Sequence, residues 1–132
     1  MENKVLDLIN YGTSALRESG IENARYEAEI LLSHILKKSR LQLYMDVDKF
    51  IPTGKVGVYK SLIKTRSDRK PLDYILKESK FYGLSFRVNE KVLVPRPETE
   101  VLVDKAVEFI GSRFDKELVV LDIGTGSGNV AI

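Results

Sequence analysis

The sequence predicts an all-α helical bundle over residues 1–76, a β-hairpin linker over 77–95, and the first elements of a doubly wound α/β domain over 96–132. Three observations carry that reading. Apolar residues recur at helical period as far as Leu76; after about Glu78 the texture changes to short runs around Gly83; and a continuous apolar run, "ELVVLDIG", leads into Gly124, Gly126 and Gly128.

Val5, Ile9 and Leu16 mark a first helix that Gly20 stops. In "ENARYEAEILLSHILKK", Ala24, Ala28, Leu31, Leu32, Ile35 and Leu36 form one apolar stripe, with Asn23 placed to cap the start and Lys37 and Lys38 suited to the end. Ser39 and Gln42 stand at capping-box spacing before Tyr44 and Met45 and predict a short third helix. A fourth follows Pro52 with Val56, Tyr59, Leu62 and Ile63 inward, and a fifth starts at Pro71 as its first residue, with Leu72, Ile75 and Leu76 inward. The short connections imply a compact bundle that folds alone, though a domain of this size is only modestly stable.

Phe81, Leu84, Phe86 and Val88 surround Gly83, and "KVLV" follows, so two short strands with a turn at Asn89 and Glu90 are expected. A helix from Glu98 to about Ile110 carries Val101, Leu102, Ala106 and Phe109 at helical spacing. Val119–Ile123 then reads as a strand buried on both faces, leading through the glycines into an incipient helix.

Composition narrows the function classes. Of 132 residues, 43% are hydrophobic and 30% charged, the balance of a soluble globular chain without an apolar run near the roughly 18 residues of a membrane span. No secretory signal is visible, so the chain is read as cytoplasmic. Cysteine is absent and histidine occurs once, at His34, which leaves no disulfide and no zinc-ligand cluster; no metal is expected, and His34 is read as a surface or boundary residue rather than a base. A net charge of +2 is too small to argue for nucleic acid, and the one basic run, Lys64 to Lys70, is read as a solvated helix end. Tyr11, Tyr26, Tyr44 and Tyr59 fall at helical positions and are read as core or boundary aromatics.

Glycines at alternate positions after a strand permit positive φ and let a ligand touch the backbone, while the next helix start offers free N–H groups. A phosphate-binding P-loop needs Gly-Lys-Ser/Thr, and Asn129 follows Gly128, which excludes it. A dinucleotide fingerprint would place its third glycine at Asn129 and is disfavoured. A tight turn without a ligand remains the bland alternative. Upstream, Pro95 and Pro97 hold Arg96 extended, and Glu98 and Glu100 enter the first helical turn, where the dipole favours acids. That elbow accounts for the prolines and acids without requiring Arg96; the alternative makes Arg96, Glu98 and Glu100 a wall of a pocket.

Asp122-Ile-Gly124-Thr125-Gly126-Ser127-Gly128 resembles the first motif of class I S-adenosylmethionine-dependent methyltransferases. Together with "ARYEAEILL" and "PLDYILKESKFYGLSFRVNEKVLVPRPETE", it is similar to the HemK/PrmC family, which methylates the glutamine of the Gly-Gly-Gln motif in peptide chain release factors. The resemblance implies a Rossmann-like methyltransferase domain truncated in this chain, with Asp122, Gly124, Thr125, Gly126, Ser127 and Gly128 binding S-adenosylmethionine. It also implies a monomer whose helical domain recognises release factors, with no membrane or direct nucleic-acid partner. Lys77 stands where the family usually has glycine, and Lys80 where it has an acid. The family's Asn-Pro-Pro-Tyr motif is absent from these residues, as is an acid about 20 positions beyond the glycines, so the chain alone is expected to be inactive. Two other functions stay open: a non-enzymatic helical binding module, and a methyltransferase for a nucleic-acid amino group, against which the weak net charge counts.

Overall fold

The computed structural model describes residues 3–113 and 117–132, so Phe114, Asp115 and Lys116, inside the expected 96–132 segment, lie outside the described residues. The chain forms two compact units, Met1–Leu76 and Lys77–Ile132.

The first unit contains α1 (Val5–Glu18), α2 (Ala24–Leu36), α3 (Arg40–Met45), α4 (Thr53–Ser67) and α5 (Leu72–Leu76). Helices α1, α2 and α4 pack on one another, α3 packs on α2, and α5 lies against α4 and α2. Leu8, Ile9, Leu16, Leu31, Leu32, Leu43, Tyr59 and Ile63 meet in one core, with Leu72, Ile75 and Leu76 of α5 half-buried at its edge. Each fully buried Leu or Ile of this kind contributes about 1.5–3 kcal/mol of transfer free energy. His34 is exposed, Tyr59 lies in the core, and Tyr26 and Tyr44 remain half-exposed. No helix among the described residues is long and apolar enough to cross a membrane.

Helix ends follow local chemistry with instructive exceptions. Gly20 at φ +73° closes α1 while the Gly20 and Ile21 N–H groups donate to the Arg17 and Leu16 carbonyls, the paired arrangement of a Schellman motif. Ser39 and Gln42 form both bonds of the expected capping box. Asn23 makes no side-chain capping bond; its carbonyl alone accepts, from the Glu27 N–H at 3.0 Å. Pro71 stands one position before α5, and its carbonyl accepts from Tyr74 and Ile75. At the start of α1 no side chain caps either; the Val5 and Leu6 N–H groups, which a helix leaves unpaired, donate to the carbonyls of Lys49 and Val47 at 3.1 Å each. A bridge between Lys4 and Phe50 and a bond from Ile51 N–H to the Asn3 carbonyl at 2.7 Å complete this clasp.

The basic run after Lys64 is not uniformly solvated, which corrects the sequence reading. Arg66 turns inward and pairs with Glu27 of α2, its Nη2 donating to Oε1 at 3.1 Å, while Nη1 reaches the Lys70 carbonyl. A guanidinium fork matches a carboxylate edge-on, which makes it a better strap between α4 and α2 than a solvated cation.

Two contacts set the packing. At Gly12 of α1 an added Cβ would stand 2.1 Å from the Tyr59 hydroxyl and 2.9 Å from Ile63 Cδ1, so only glycine admits α4 at this distance. The Tyr59 hydroxyl crosses to donate to the Ala28 carbonyl at 3.3 Å. The second contact is Glu29 of α2, only 1% exposed. Its carboxylate accepts from Arg25 Nε at 3.1 Å, from Arg40 Nε and Nη2 at 2.9 and 2.6 Å, and from the Tyr44 hydroxyl, so α3 is held to α2 at both ends. Burial pushes the Glu29 pKa up, but the bonds from Tyr44 and Arg40, the Arg40 charge and the bond from Arg25 outweigh it and leave the group below its ordinary value.

Two consequences are measurable. Gly12→Ala should destabilise the protein by about 1–3 kcal/mol, the usual range for overpacking, as a lower urea midpoint at unchanged slope. For Glu29, a depressed folded pKa adds stability that is present above the ordinary value of 4.5 and lost as pH falls through the folded value. Glu29→Gln should therefore flatten the acid limb of the stability curve and remove about 1–3 kcal/mol near neutrality, read by urea titration across pH.

Candidate functional site

The second unit begins with β1 (Glu78–Phe81) and β2 (Leu84–Arg87), paired antiparallel with Phe81 opposite Leu84 and Glu78 opposite Arg87. The hairpin turns at Tyr82 and Gly83, not at Asn89 and Glu90 as expected. Both turn residues have positive φ, +49° and +74°, which is what a two-residue hairpin loop with native twist requires. Ser79, Phe81, Phe86 and Val88 form the buried face, where the two phenyl rings meet edge-on at 6.2 Å. Asn89 does make a turn, its side chain accepting from the Lys91 N–H at 2.9 Å, but Lys91–Val94 leaves it without strand pairing.

After that turn comes the proline elbow. Pro95 is buried, Arg96 is extended at φ −94° and ψ 136°, and Pro97–Thr99 forms a 3₁₀ turn before α6 (Glu100–Gly111). Helical structure thus starts close to the expected Glu98, but the tighter turn delays the α-helix by two residues. The side chains of Arg96 and Glu98 are exposed and make no hydrogen bond or ion pair with another described residue. Glu100 behaves differently: its Oε1 accepts from the Tyr82 backbone N–H at 2.7 Å, and one turn further along α6 Asp104 accepts from the Tyr82 hydroxyl at 2.5 Å. The bond to Asp104, with the charges of Asp104 and Glu100, holds the Tyr82 phenol above its ordinary pKa. Tyr82 was invisible as a candidate because its importance lies in a left-handed backbone, for which only the adjacent glycine gave a signal.

Residues 117–122 form no strand, which corrects the expectation for Val119–Ile123. A parallel strand needs neighbours for its N–H and C=O groups, and among the described residues none pairs here. Val119, Leu121 and Ile123 are accordingly exposed, at 96%, 80% and 88%. The glycines do adopt the backbone their spacing implies: Gly124, Gly126 and Gly128 stand at φ +78°, +57° and +79°. Among the described residues, and leaving aside the chain neighbours, no atom lies within 4 Å of where a Cβ would sit on Gly124 or Gly126, so these two positions open onto free space. The Gly128 N–H donates to the Thr125 carbonyl, the Ile132 N–H donates to the Gly128 carbonyl at 3.1 Å, and Ser127 bonds to Asn129, which together make one incipient helical turn. Asp122 Oδ2 is buried and has no hydrogen-bond partner among the described residues. An acceptor shielded from water with no donor is costly, and a ligand amine would satisfy it. Asp122 and the glycine cradle therefore fit a ligand that brings hydrogen-bond donors and approaches backbone closely. No hydrogen bond or ion pair joins Arg96, Glu98 or Glu100 to this loop among the described residues.

A helical bundle, a hairpin with a proline elbow and a glycine loop beside a carboxylate unsatisfied among the described residues define a helical domain joined to a segment that carries a glycine loop. The profile of the PrmC N-terminal domain matches residues 7–76. The release factor glutamine methyltransferase of Geobacter sulfurreducens is 42% identical over 129 residues, covering 98% of this chain and 43% of that protein. Those of Rhodopirellula baltica and Bacillus anthracis are 39% and 40% identical over 130 and 131 residues, covering 97% and 98% of this chain and 44% and 45% of those proteins. The chain thus spans less than half the length of the curated relatives it matches. It belongs to the PrmC family and corresponds to the N-terminal part of those methyltransferases.

Glu100→Ala should remove the acceptor that closes the hairpin turn. Amide exchange at Tyr82 is expected to accelerate about tenfold, the effect of losing roughly one hydrogen bond to a charged group. An unchanged rate would release Glu100 from the hairpin and return it to the pocket-wall reading.

Proposed function

We propose that this chain is the recognition and cofactor-entry half of an S-adenosylmethionine-dependent enzyme that methylates the Gly-Gly-Gln glutamine of peptide chain release factors. Residues 1–76 serve as the helical domain that engages the release factor, and Asp122 to Gly128 begin a Rossmann-like cofactor site. The observation that carries this reading is the buried, unsatisfied Asp122 Oδ2 beside three glycines at positive φ, within a chain about 40% identical to named release factor glutamine methyltransferases.

S-adenosylmethionine supplies an electrophilic methyl group on a sulfonium. This chain's part is binding and orientation: Asp122 offers a carboxylate to an amine, the glycines let backbone approach the ligand, and the turn after Gly128 presents N–H groups to a carboxylate. An amide nitrogen is a weak nucleophile, so the reaction depends on positioning and electrostatics. The Asn-Pro-Pro-Tyr motif that grips the glutamine amide in the family is absent from these 132 residues. The 132-residue chain by itself is therefore inactive in our reading, because its loop hangs on an unpaired segment.

A chimera tests both halves of this proposal. Residues 1–132 joined to the remaining part of the Geobacter sulfurreducens relative should add one methyl group to the release-factor glutamine, detected by peptide mass spectrometry. Asp122→Ala in that chimera should abolish the transfer, and residues 1–132 alone should show no micromolar binding of S-adenosylmethionine by calorimetry. A folded chimera without methylation, beside an active relative, would overturn the functional assignment; micromolar binding by the short chain would overturn its inactivity.

A further inference from the structure

Tyr82 gives α6 something that the hairpin itself does not require. A two-residue loop with positive φ at both positions is filled most readily by Asn, Asp or Gly, yet a tyrosine stands here at φ +49°. Its N–H bond to Glu100, at 2.7 Å, would be open to any residue at this position except proline. The bond at 2.5 Å from its hydroxyl to Asp104 would not, because it needs a donor at the end of a side chain that reaches one turn further along α6. That bond and the charges of Asp104 and Glu100 hold the phenol above its ordinary pKa, so the hydroxyl keeps the proton it donates.

The two bonds close a ring. From Tyr82 the chain runs through β2, the turn at Asn89, the buried Pro95 and the 3₁₀ turn Pro97–Thr99 to Glu100 and Asp104, where the hairpin tip takes hold of it. No residue of α6 is buried, so close packing does not set the direction of this helix. Tyr82 is 47% exposed, and hydrogen bonds in contact with water add little net stability; what they supply here is direction. Within the ring Arg96 is held extended between two prolines, and its side chain, like that of Glu98, meets no partner among the described residues. The latch therefore fixes the backbone that carries two charged groups open to a ligand.

We propose that Tyr82 is a positioning residue for methyl transfer: by latching the hairpin tip to Glu100 and Asp104 it holds the proline elbow, with Arg96 and Glu98, where the elbow forms a wall of the transfer site. The inference rests on the function proposed above and deepens it. Tyr82 touches neither the cofactor nor the glutamine; it acts through the elbow. Its loss leaves both ligands able to bind and leaves the wall against which they are aligned loosely placed, so the effect falls on turnover. A tyrosine at a left-handed turn position is thereby accounted for, since the shorter residues that suit the backbone better cannot make the second bond.

The test is a double-mutant cycle on the chimera described above, read as steady-state methylation of a release factor. Tyr82→Phe should lower kcat about tenfold, inside the roughly hundredfold that misplacing a group by about 1 Å can cost, while KM for the release factor and for S-adenosylmethionine stays unchanged. Asp104→Ala should cause the same loss, Asp104→Asn, which still accepts a hydrogen bond, should restore turnover, and Tyr82→Phe with Asp104→Ala should be no slower than either alone. Melting temperatures should agree across the set, because the latch is exposed. Full turnover by Tyr82→Phe, or losses that add in the double variant, overturns the latch. A raised KM at unchanged kcat overturns it in favour of a binding role, and a matching fall in melting temperature overturns it in favour of a purely structural tie. A folded but inactive chimera beside an active relative brings down this inference together with the functional reading, whereas an active chimera indifferent to Tyr82 brings down this inference alone.

Discussion

A carboxylate almost wholly withdrawn from water tolerates no missing partner, and Glu29 is the point on which the helical unit is organised. Its two oxygens collect four donor groups from α2 and α3, so the short α3, which could not persist as an isolated helix, has both its first residue and its penultimate one tied down. Breaking such an arrangement leaves a charge stranded, which is why it fixes geometry more firmly than a comparable apolar contact. The Arg66–Glu27 pair repeats the device between α4 and α2 in a more exposed setting. Apolar packing supplies most of the free energy here, and the two carboxylates of α2 decide which neighbours sit where.

Much of the helical unit was legible from sequence because its signals are local. The stripe from Ala24 to Leu36, the Ser39–Gln42 box and the glycine stop at Gly20 each depend on residues within a few positions, and each appears in the structure. Glu29 was hidden inside the same stripe. Its distance of four from Arg25 was readable, but the decisive donors, Arg40 and Tyr44, come from the next helix and leave no local trace. Gly12 was missed for the same reason: a glycine in mid-helix becomes meaningful only when Tyr59 is known to lie against it.

In the second unit the failures share one cause. The run from Leu118 to Ile123 has the composition of a buried strand, yet composition gives no hydrogen-bond partners, and among the described residues no strand pairs with it. "KVLV" was misread similarly, because the hairpin closes earlier, at Tyr82 and Gly83. The glycine loop fared better since positive φ is an intrinsic permission of glycine rather than a gift of neighbours. Lys77 shows the converse. It occupies a left-handed backbone at φ +59°, which a residue with a side chain adopts at a strain of about 1 kcal/mol.

The clasp at the start of α1 has a consequence for how the helical unit comes apart. Asn3 to Leu6 are bonded to Val47 to Ile51, so the beginning of the first helix and the exit from the third share one set of hydrogen bonds. Fraying, ordinarily the least expensive motion of a helix, would here expose the carbonyls of the segment that leads into α4. The amino-terminal turn is thereby enrolled in the cooperative unfolding of the domain, and its local opening free energy should approach that of the whole bundle rather than that of a loose chain end.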